Sequence, residues 1–178
     1  MDELTGLPTH LELPAWLAGI GGRVAHPGPS AILFDIVGMT WINQAEGNRG
    51  GDAQLARLGS WLAGAAARYG GRAFRVAGEE FLFVLPSLSL EEARAAAGEV
   101  VAEVAAQRIP WTHPDEPRDF LALNAVVFTA RQGFEEDLLK LREACAGTLY
   151  EARGKDLSAH SVVATMPPNA LDTPSRFV

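Results

Sequence analysis

Apolar and polar positions follow helical spacing in some segments of the chain and strand-like spacing in others, which predicts a mixed α/β protein. Apolar residues recur every three or four positions in the predicted helices 11–24, 52–69, 90–107 and 135–153. Short apolar runs predict strands at 31–36, 72–76, 81–85, 120–129 and 161–165. Because helices separate most of these strands, we expect a sheet with helices packed on it.

Local signals mark several of these boundaries. Gly70-Gly71 predicts the end of the second helix, and Ser89 with Glu92 three residues later predicts a capping box at the start of the third. The last segment, 166–178, is rich in Pro and polar residues and is expected to be loosely ordered. The folded domain is therefore predicted to span residues 1–165.

Two adjacent carboxylates lie between the predicted strands 72–76 and 81–85. They belong to Glu79 and Glu80, and they follow the small pair Ala77-Gly78. Small residues let a ligand approach the backbone, and neighbouring side chains on an extended chain point to opposite sides. One carboxylate can then reach a metal while the other faces a different partner. The alternative is an ordinary hairpin with a solvated acidic tip.

A further carboxylate, Asp35, ends the first apolar strand. A strand that ends in Asp is suited to Mg²⁺, which takes one or two carboxylates together with substrate phosphates. Downstream, Asn43 and Asp52 are residue types that can hydrogen-bond a nucleobase edge. Each also has a structural alternative, since Asn43 fits a turn and Asp52, after Gly50-Gly51, fits a helix N-cap.

Five short segments resemble, in order and spacing, the motifs of GGDEF domains, the diguanylate cyclase family. They are DELTGLP (2–8), FDIVGMTWIN (34–43), GNRGGD (47–52), RVAGEEF (75–81) and LYEAR (149–153). One such motif alone would be weak evidence, whereas five together are a strong signal. The signature turn reads AGEEF in this chain, a variant of the family's pattern.

The resemblance implies a fold and a reaction. The fold is a ferredoxin-like palm of the nucleotidyl cyclase type, an α/β structure with a central, mostly antiparallel sheet flanked by helices. The reaction condenses two GTP molecules into cyclic di-GMP with Mg²⁺ or Mn²⁺ as cofactor. Each domain holds one GTP, so catalysis requires a homodimer. An upstream sensor or receiver domain, or a protein partner, is a further expectation from the family.

The resemblance also implies roles for the acidic residues. Asp35 and Glu79 would bind the metal through their carboxylates, and Ile36 would bind it through its backbone carbonyl. Glu79 and Glu80 form the catalytic pair, with Glu80 assisting at the metal or in activating the 3′-hydroxyl.

Substrate-binding residues follow from the same motifs. Asn43 and Asp52 would read the guanine edge, and the Asp52 carboxylate favours GTP over ATP because it accepts from the ring NH and the exocyclic amine. Ala77, Gly78 and Arg153 would lie along the rest of the substrate.

Several positions depart from the family pattern. Ala77 replaces a Gly, and its methyl group is tolerated only if the backbone angle φ is negative. Val37 replaces an Asp, Thr40 replaces a Lys, and Arg153 stands where the family has Lys. The family's S-I-G strand motif is changed to the segment beginning at Asn124. Together these changes point to a weakened or retired cyclase.

The family's inhibitory product site is also altered. Its R-x-x-D motif aligns with Arg68-Tyr69-Gly70-Gly71, which lacks the Asp, so tight product feedback is not expected at this face. Arg68 is instead expected to bind carbonyl groups at the end of its helix.

Composition and charge predict one globular domain and argue against membrane and nucleic acid partners. The 178 residues are 48% hydrophobic, enough for one domain with a full core. No apolar run is long enough to span a membrane and no signal peptide precedes Asp2, so we expect a cytoplasmic protein without a membrane partner. The net charge of −7 argues against a nucleic acid polymer as partner. Cys145, the single cysteine, is expected to be a buried small hydrophobic residue.

Two functions therefore remain open from the sequence. The first is a diguanylate cyclase, supported by the retained carboxylates and guanine readers. The second is a degenerate, catalytically inactive domain that binds GTP or a protein partner as a regulator, favoured by the missing auxiliary cations.

Overall fold

The computed structural model describes residues 1–20, 28–110, 119–130, 134–153 and 161–170, and for residues 39–50 it describes the backbone alone. The helices are α1 (Leu13–Ile20), α2 (Met39–Arg68), α3 (Leu90–Ala106) and α4 (Leu138–Arg153). The strands are β1 (Ser30–Ile36), β2 (Arg72–Ala77), β3 (Glu80–Leu85), β4 (Leu123–Thr129) and β5 (Val163–Thr165). Short 3-10 helices precede α1 and α4, at His10–Glu12 and Phe134–Asp137.

The strands form one sheet in the order β2-β3-β1-β4-β5. Strand β1 pairs antiparallel with both β3 and β4, β2 pairs antiparallel with β3, and β5 pairs parallel with β4. This arrangement confirms the predicted α/β fold with a mostly antiparallel sheet. Because β1 lies in the middle of the sheet, the chemistry at its end is flanked by strands on both sides.

Both faces of the sheet are covered by helices. On one face, the side chains of β1 such as Ile32 and Phe34 belong to a buried cluster with residues of α2 and α3. On the other face, Ala31 and Leu33 belong to a cluster with residues of α1 and α4. Burial on both sides explains why β1 reads as a continuous apolar run rather than an alternating one. By the same alternation, Asp35 lies on the α4 face.

Helix α2 corrects one prediction. It begins at Met39 rather than Asp52, after Gly38, which has a φ of 78° in the left-handed region that favours glycine. Asp52 is therefore not an N-cap but an exposed residue inside the helix, and Asn43 lies in the helical backbone rather than in a turn. The predicted stop is confirmed, since α2 ends at Arg68 and Gly70 has a φ of 68°.

Other local predictions are confirmed in part. The capping box of α3 forms, with the Ser89 hydroxyl accepting from the Glu92 N–H and the Glu92 carboxylate accepting from the Ser89 N–H. The helix predicted over 11–24 begins later, at Leu13, because a 3-10 turn precedes it; it is described as far as Ile20, and the predicted residues 21–24 lie outside the described ranges. No described helix is both long enough and apolar enough to cross a membrane.

Two buried residues connect α4 and the segment after β5 to the core. Cys145 is 1% exposed, as predicted, and burial raises the pKa of its thiol, with the charge of Glu80 adding to the effect. Met166 directly follows the predicted domain boundary, and it is buried on the α4 face of the sheet. Residues 171–178 of the predicted tail lie outside the described part of the chain.

Candidate functional site

Three acidic residues lie where β1 ends and the β2–β3 hairpin turns. Asp35 in β1 is directly opposite Glu80, the first residue of β3. Glu79 lies in the turn before β3, and its carbonyl accepts a hydrogen bond from the Ile36 N–H at 3.3 Å. The antiparallel pairing of β1 and β3 thus brings together acids that are more than forty positions apart in the sequence.

The electrostatics of Asp35 show how closely these acids interact. Burial, followed by the negative charges of Glu79 and Glu80, raises the pKa of Asp35 from 3.8 to about 6. A hydrogen bond from Asn124 and the positive charge of Arg153 act in the opposite direction. Ionised Asp35 is therefore disfavoured in the protein by itself, and a bound cation would favour it.

The donor set of this site fits a hard divalent cation. Asp35 and Glu79 offer carboxylate oxygens and Ile36 offers a carbonyl oxygen, which are the ligand types that Mg²⁺ prefers. Among the described residues, no group of three or more His, Cys, Asp or Glu side chains forms a metal-binding cluster. A cation at this site would consequently need further oxygen ligands, such as water or phosphate, as is usual for Mg²⁺.

Glu80 differs from the other two acids because it already has a cationic partner. Its carboxylate is bonded to Nε of Arg142 in α4, and the two side chains are 17% and 39% exposed. The contact joins the hairpin to α4 across the α4 face of the sheet. The sequence carries no signal for this role of Arg142, since an Arg in an amphipathic helix is usually a solvent-facing residue.

The hairpin turn leaves the backbone accessible. Ala77 pairs with Glu80 across a two-residue turn of Gly78 and Glu79, next to an irregularity in the ladder between Arg75 and Ala77. Among the described residues other than glycine, a positive φ occurs at Arg108 and not at Ala77, so the methyl group of Ala77 causes no backbone strain. A Cβ added to Gly78 would meet no atom within 4 Å, so this position has room for a ligand.

The N-terminal turn is tied to this hairpin by Arg75. Nη1 of Arg75 contacts the Asp2 carboxylate at 2.8 Å, while its Nε and Nη2 donate to the Gly78 carbonyl at 3.0 and 2.7 Å. Burial opposes ionisation of Asp2, but hydrogen bonds from Thr5 and Arg75 outweigh burial and lower its pKa. The first and fourth motifs are therefore parts of one structural unit.

The remaining predicted substrate residues lie on α2 and α4. Asn43 and Asp52 are nine positions apart in one helix (52 − 43 = 9), which corresponds to about 13.5 Å along its axis. Arg153 ends α4, is exposed, and is close enough to Asp35 to lower its pKa. Val37, at a position where the family has Asp, is buried, which suits an apolar residue.

Asn124 is a second residue whose contribution the sequence does not reveal. In sequence it is only a departure from the family's strand motif, but the structure places it opposite Asp35 on β4 with 2% exposure. The available signal was a single amide inside the apolar run of residues 121–128, since buried polar residues are uncommon and need partners.

Arg68 has a different partner from the one predicted. Its Nη2 contacts the Glu103 carboxylate of α3 at 2.7 Å, and its guanidinium lies 5.8 Å from the centre of the Trp61 ring. It thus bridges α2 and α3 instead of binding carbonyl groups at the end of its own helix.

Comparison with known proteins supports the same fold. The GGDEF domain of DgcB from Caulobacter crescentus, in complex with c-di-GMP, has a TM-score of 0.69 and 19% identity over 93% of this chain and 95% of its own. The active GGEEF domain of a diguanylate cyclase from Vibrio cholerae has a TM-score of 0.59 and 24% identity over 86% of this chain and 90% of its own.

The diguanylate cyclase SiaD from Pseudomonas aeruginosa, in complex with its activator SiaC, has a TM-score of 0.64 and 22% identity, over 92% of this chain and 61% of its own. No curated protein sequence matches the chain. The sequence profile of the family described as "Diguanylate cyclase, GGDEF domain" matches residues 1–156. The chain therefore belongs to the GGDEF domains of the diguanylate cyclase family.

Proposed function

We propose that this chain is a diguanylate cyclase that condenses two GTP molecules into cyclic di-GMP, with Mg²⁺ or Mn²⁺ as cofactor. The observation that supports the proposal is that Asp35 and Glu79 lie beside the Ile36 backbone, where burial and then the negative charges of Glu79 and Glu80 raise the pKa of Asp35. Such a concentration of acidic groups at the end of a central strand is suited to binding a cation.

The two carboxylates and the Ile36 carbonyl would hold the ion. A bound ion would supply positive charge that offsets the negative charge of the triphosphate and of the α-phosphate during in-line displacement. The open space beside Gly78 would admit the phosphates, and the exposed guanidinium of Arg153 would meet their negative charge. Ala77 leaves this approach unstrained.

The role of Glu80 in the proposed reaction depends on its bond to Arg142. Nε of Arg142 donates to one oxygen of the Glu80 carboxylate and so occupies one of its lone pairs. Glu80 can therefore assist at the metal or at the 3′-hydroxyl through its remaining lone pairs, or through both oxygens when its bond to Arg142 opens.

Guanine recognition by Asn43 and Asp52 also has a structural requirement. The two positions are about 13.5 Å apart along a continuous α2, a longer distance than a guanine edge covers. Both can contact one base only if α2 bends between them. This stretch contains Gly47, Gly50 and Gly51, each of which lowers helix stability by about 1 kcal/mol relative to Ala.

The decisive experiment measures cyclic di-GMP formation from GTP and Mg²⁺ by purified protein. Wild type is compared with Glu79→Gln, which removes one proposed ligand, and with Glu91→Gln, the same change at an exposed residue in the first turn of α3. We expect product from wild type and Glu91→Gln, and a loss of at least about a hundredfold in Glu79→Gln. Equal product from wild type and Glu79→Gln would reject the proposal.

The homodimer is tested in the same assay. Because each domain would contribute half of the active site, the rate per molecule should rise with protein concentration and level off once dimers dominate. A rate per molecule that is independent of concentration down to the nanomolar range would argue against two facing domains.

The bond between Glu80 and Arg142 favours a second candidate, a regulatory domain that binds GTP without turnover. In that case calorimetry detects binding of GTP with Mg²⁺ while no cyclic product forms, and Arg142→Gln does not restore product. Turnover by wild type would exclude this candidate.

A further inference from the structure

Asn124 is the buried polar residue nearest to the proposed cation site. It is 2% exposed, and it pairs directly with Asp35 across the antiparallel strands β4 and β1. Its neighbours in sequence, Leu123 and Ala125, are fully buried and apolar. A buried amide in such surroundings is costly unless both its oxygen and its nitrogen find partners.

The oxygen of this amide has an identified partner. Oδ1 of Asn124 accepts a hydrogen bond from the backbone N–H of Val162 at 3.2 Å, just before β5 begins. An asparagine amide has one acceptor oxygen and one donor nitrogen, so this bond fixes which atom points where. The NH₂ group is left for Asp35, the residue directly opposite Asn124 on β1.

We propose that Asn124 is a positioning residue of the cation site, which holds the Asp35 carboxylate through its Nδ2 while Val162 holds its Oδ1. That the site binds a cation rests on the function proposed above. The contact between Asn124 and Asp35 does not depend on that function. One oxygen of Asp35 is then anchored in the protein, and carboxylate lone pairs remain for an ion. Partners of this kind orient metal ligands in many proteins.

The proposal makes β5 part of the site. Val162 also accepts a hydrogen bond through its carbonyl from the Ala125 N–H at 2.8 Å, so both of its backbone groups bind β4 next to Asn124. The family profile ends at residue 156, before this segment. The series of contacts from Val162 through Asn124 to Asp35 therefore includes a residue, Val162, that lies beyond the family match.

The first test needs no metal. Urea unfolding of wild type, Asn124→Ala, Asp35→Ala and the double variant at pH 8 gives the coupling between the two side chains. We expect Asn124→Ala to reduce the folding equilibrium constant by at least about tenfold more in the wild-type background than in the Asp35→Ala background. Equal losses in both backgrounds would overturn the proposal, because Asn124 would then act through Val162 alone.

The second test measures Mn²⁺ affinity in the presence of a GTP analogue with a methylene bridge between its α- and β-phosphates. Asn124→Ser, whose side chain is too short to span both partners, should bind Mn²⁺ about 10- to 100-fold more weakly. Ser30→Ala removes a buried hydroxyl at the other end of β1, which donates to the Leu88 carbonyl at 2.9 Å, and should leave the affinity unchanged.

The two tests distinguish a failure of the positioning role of Asn124 from a failure of the proposed function. Coupling without Mn²⁺ binding by wild type would reject the proposed function and support the contact between Asn124 and Asp35. Mn²⁺ binding that Asn124→Ser and Ser30→Ala weaken equally would contradict a positioning role, because loss of stability alone would then explain the effect.

Discussion

Replacing Asp35 by Asn should stabilise the metal-free protein at neutral and higher pH. The carboxylate is partly buried and lies beside Glu79 and Glu80, and together these effects raise its pKa from 3.8 to about 6. Asn has nearly the same shape, carries no charge, and can still accept a hydrogen bond from Asn124. The variant thus removes the electrostatic cost of the site while keeping its packing.

The sign and size of the effect follow from the shift in pKa. Below pH 3.8 the Asp35 carboxyl is protonated in both the folded and the unfolded state. The stability that wild type has with this group uncharged is then fully present. As the pH rises through about 6 that stability is lost, because the folded state binds the proton more tightly than the unfolded state does. The difference between 3.8 and about 6, at about 1.36 kcal/mol per pH unit, corresponds to about 3 kcal/mol of unfolding free energy.

The assay is urea unfolding of wild type and Asp35→Asn at intervals from pH 4 to pH 8. Taking the difference between the two proteins at each pH removes the contribution of groups that titrate alike in both. Asp52→Asn is the matched control, since it removes an exposed carboxylate from α2 and should change the free energy of unfolding by less than about 0.5 kcal/mol at every pH.

We expect the advantage of Asp35→Asn to grow from near zero at pH 4 to about 3 kcal/mol at pH 8. An advantage that does not change with pH, or a variant less stable than wild type at pH 8, would show that burial and the neighbouring acids do not raise the pKa of Asp35.

Three further substitutions test the framework around the site. Arg75→Gln should lower the free energy of unfolding by about 1–3 kcal/mol, because it breaks the contacts with Asp2 and the Gly78 carbonyl; no change in urea unfolding would refute this. Phe83→Ala should cost about 3–5 kcal/mol, as the ring is fully buried, and a loss below 1 kcal/mol would contradict its place in the core. Ser89→Ala should cost about 1 kcal/mol through the lost helix cap, measured by thermal unfolding, and an unchanged midpoint would argue against the cap.

Much of the fold could be predicted because its signals are local. Strand β1 is apolar at successive positions since both of its faces are buried, and the end of α2 is marked by Gly70 in a left-handed conformation. The start of α2 could not be predicted in this way. Gly47, Gly50 and Gly51 weaken a helix locally, yet the backbone is helical through all three, since tertiary context overrides local propensity.

The site was predictable only for residues that the motifs contain. Asp35, Glu79 and Glu80 were identified from motif spacing, and the structure brings them together. Arg142 lies outside those motifs, and Asn124 stands in a strand motif only as a departure from the family pattern; the contribution of each depends on partners far away along the chain. Arg142 and Glu80 are 62 positions apart, so the order and spacing of short motifs carry no signal for such a contact.

The amino-acid sequence by itself determined the class of fold, the family and the acids at the end of the central strand, because these are written in periodicity and in short motifs. Only the tertiary structure decided the electrostatic state of those acids. Strand register places Asp35 opposite both Glu80 and Asn124, and the packing of α4 on the sheet places Arg142 against Glu80. Charge and hydrogen bonding depend on distances in space, which the order of residues along the chain does not specify.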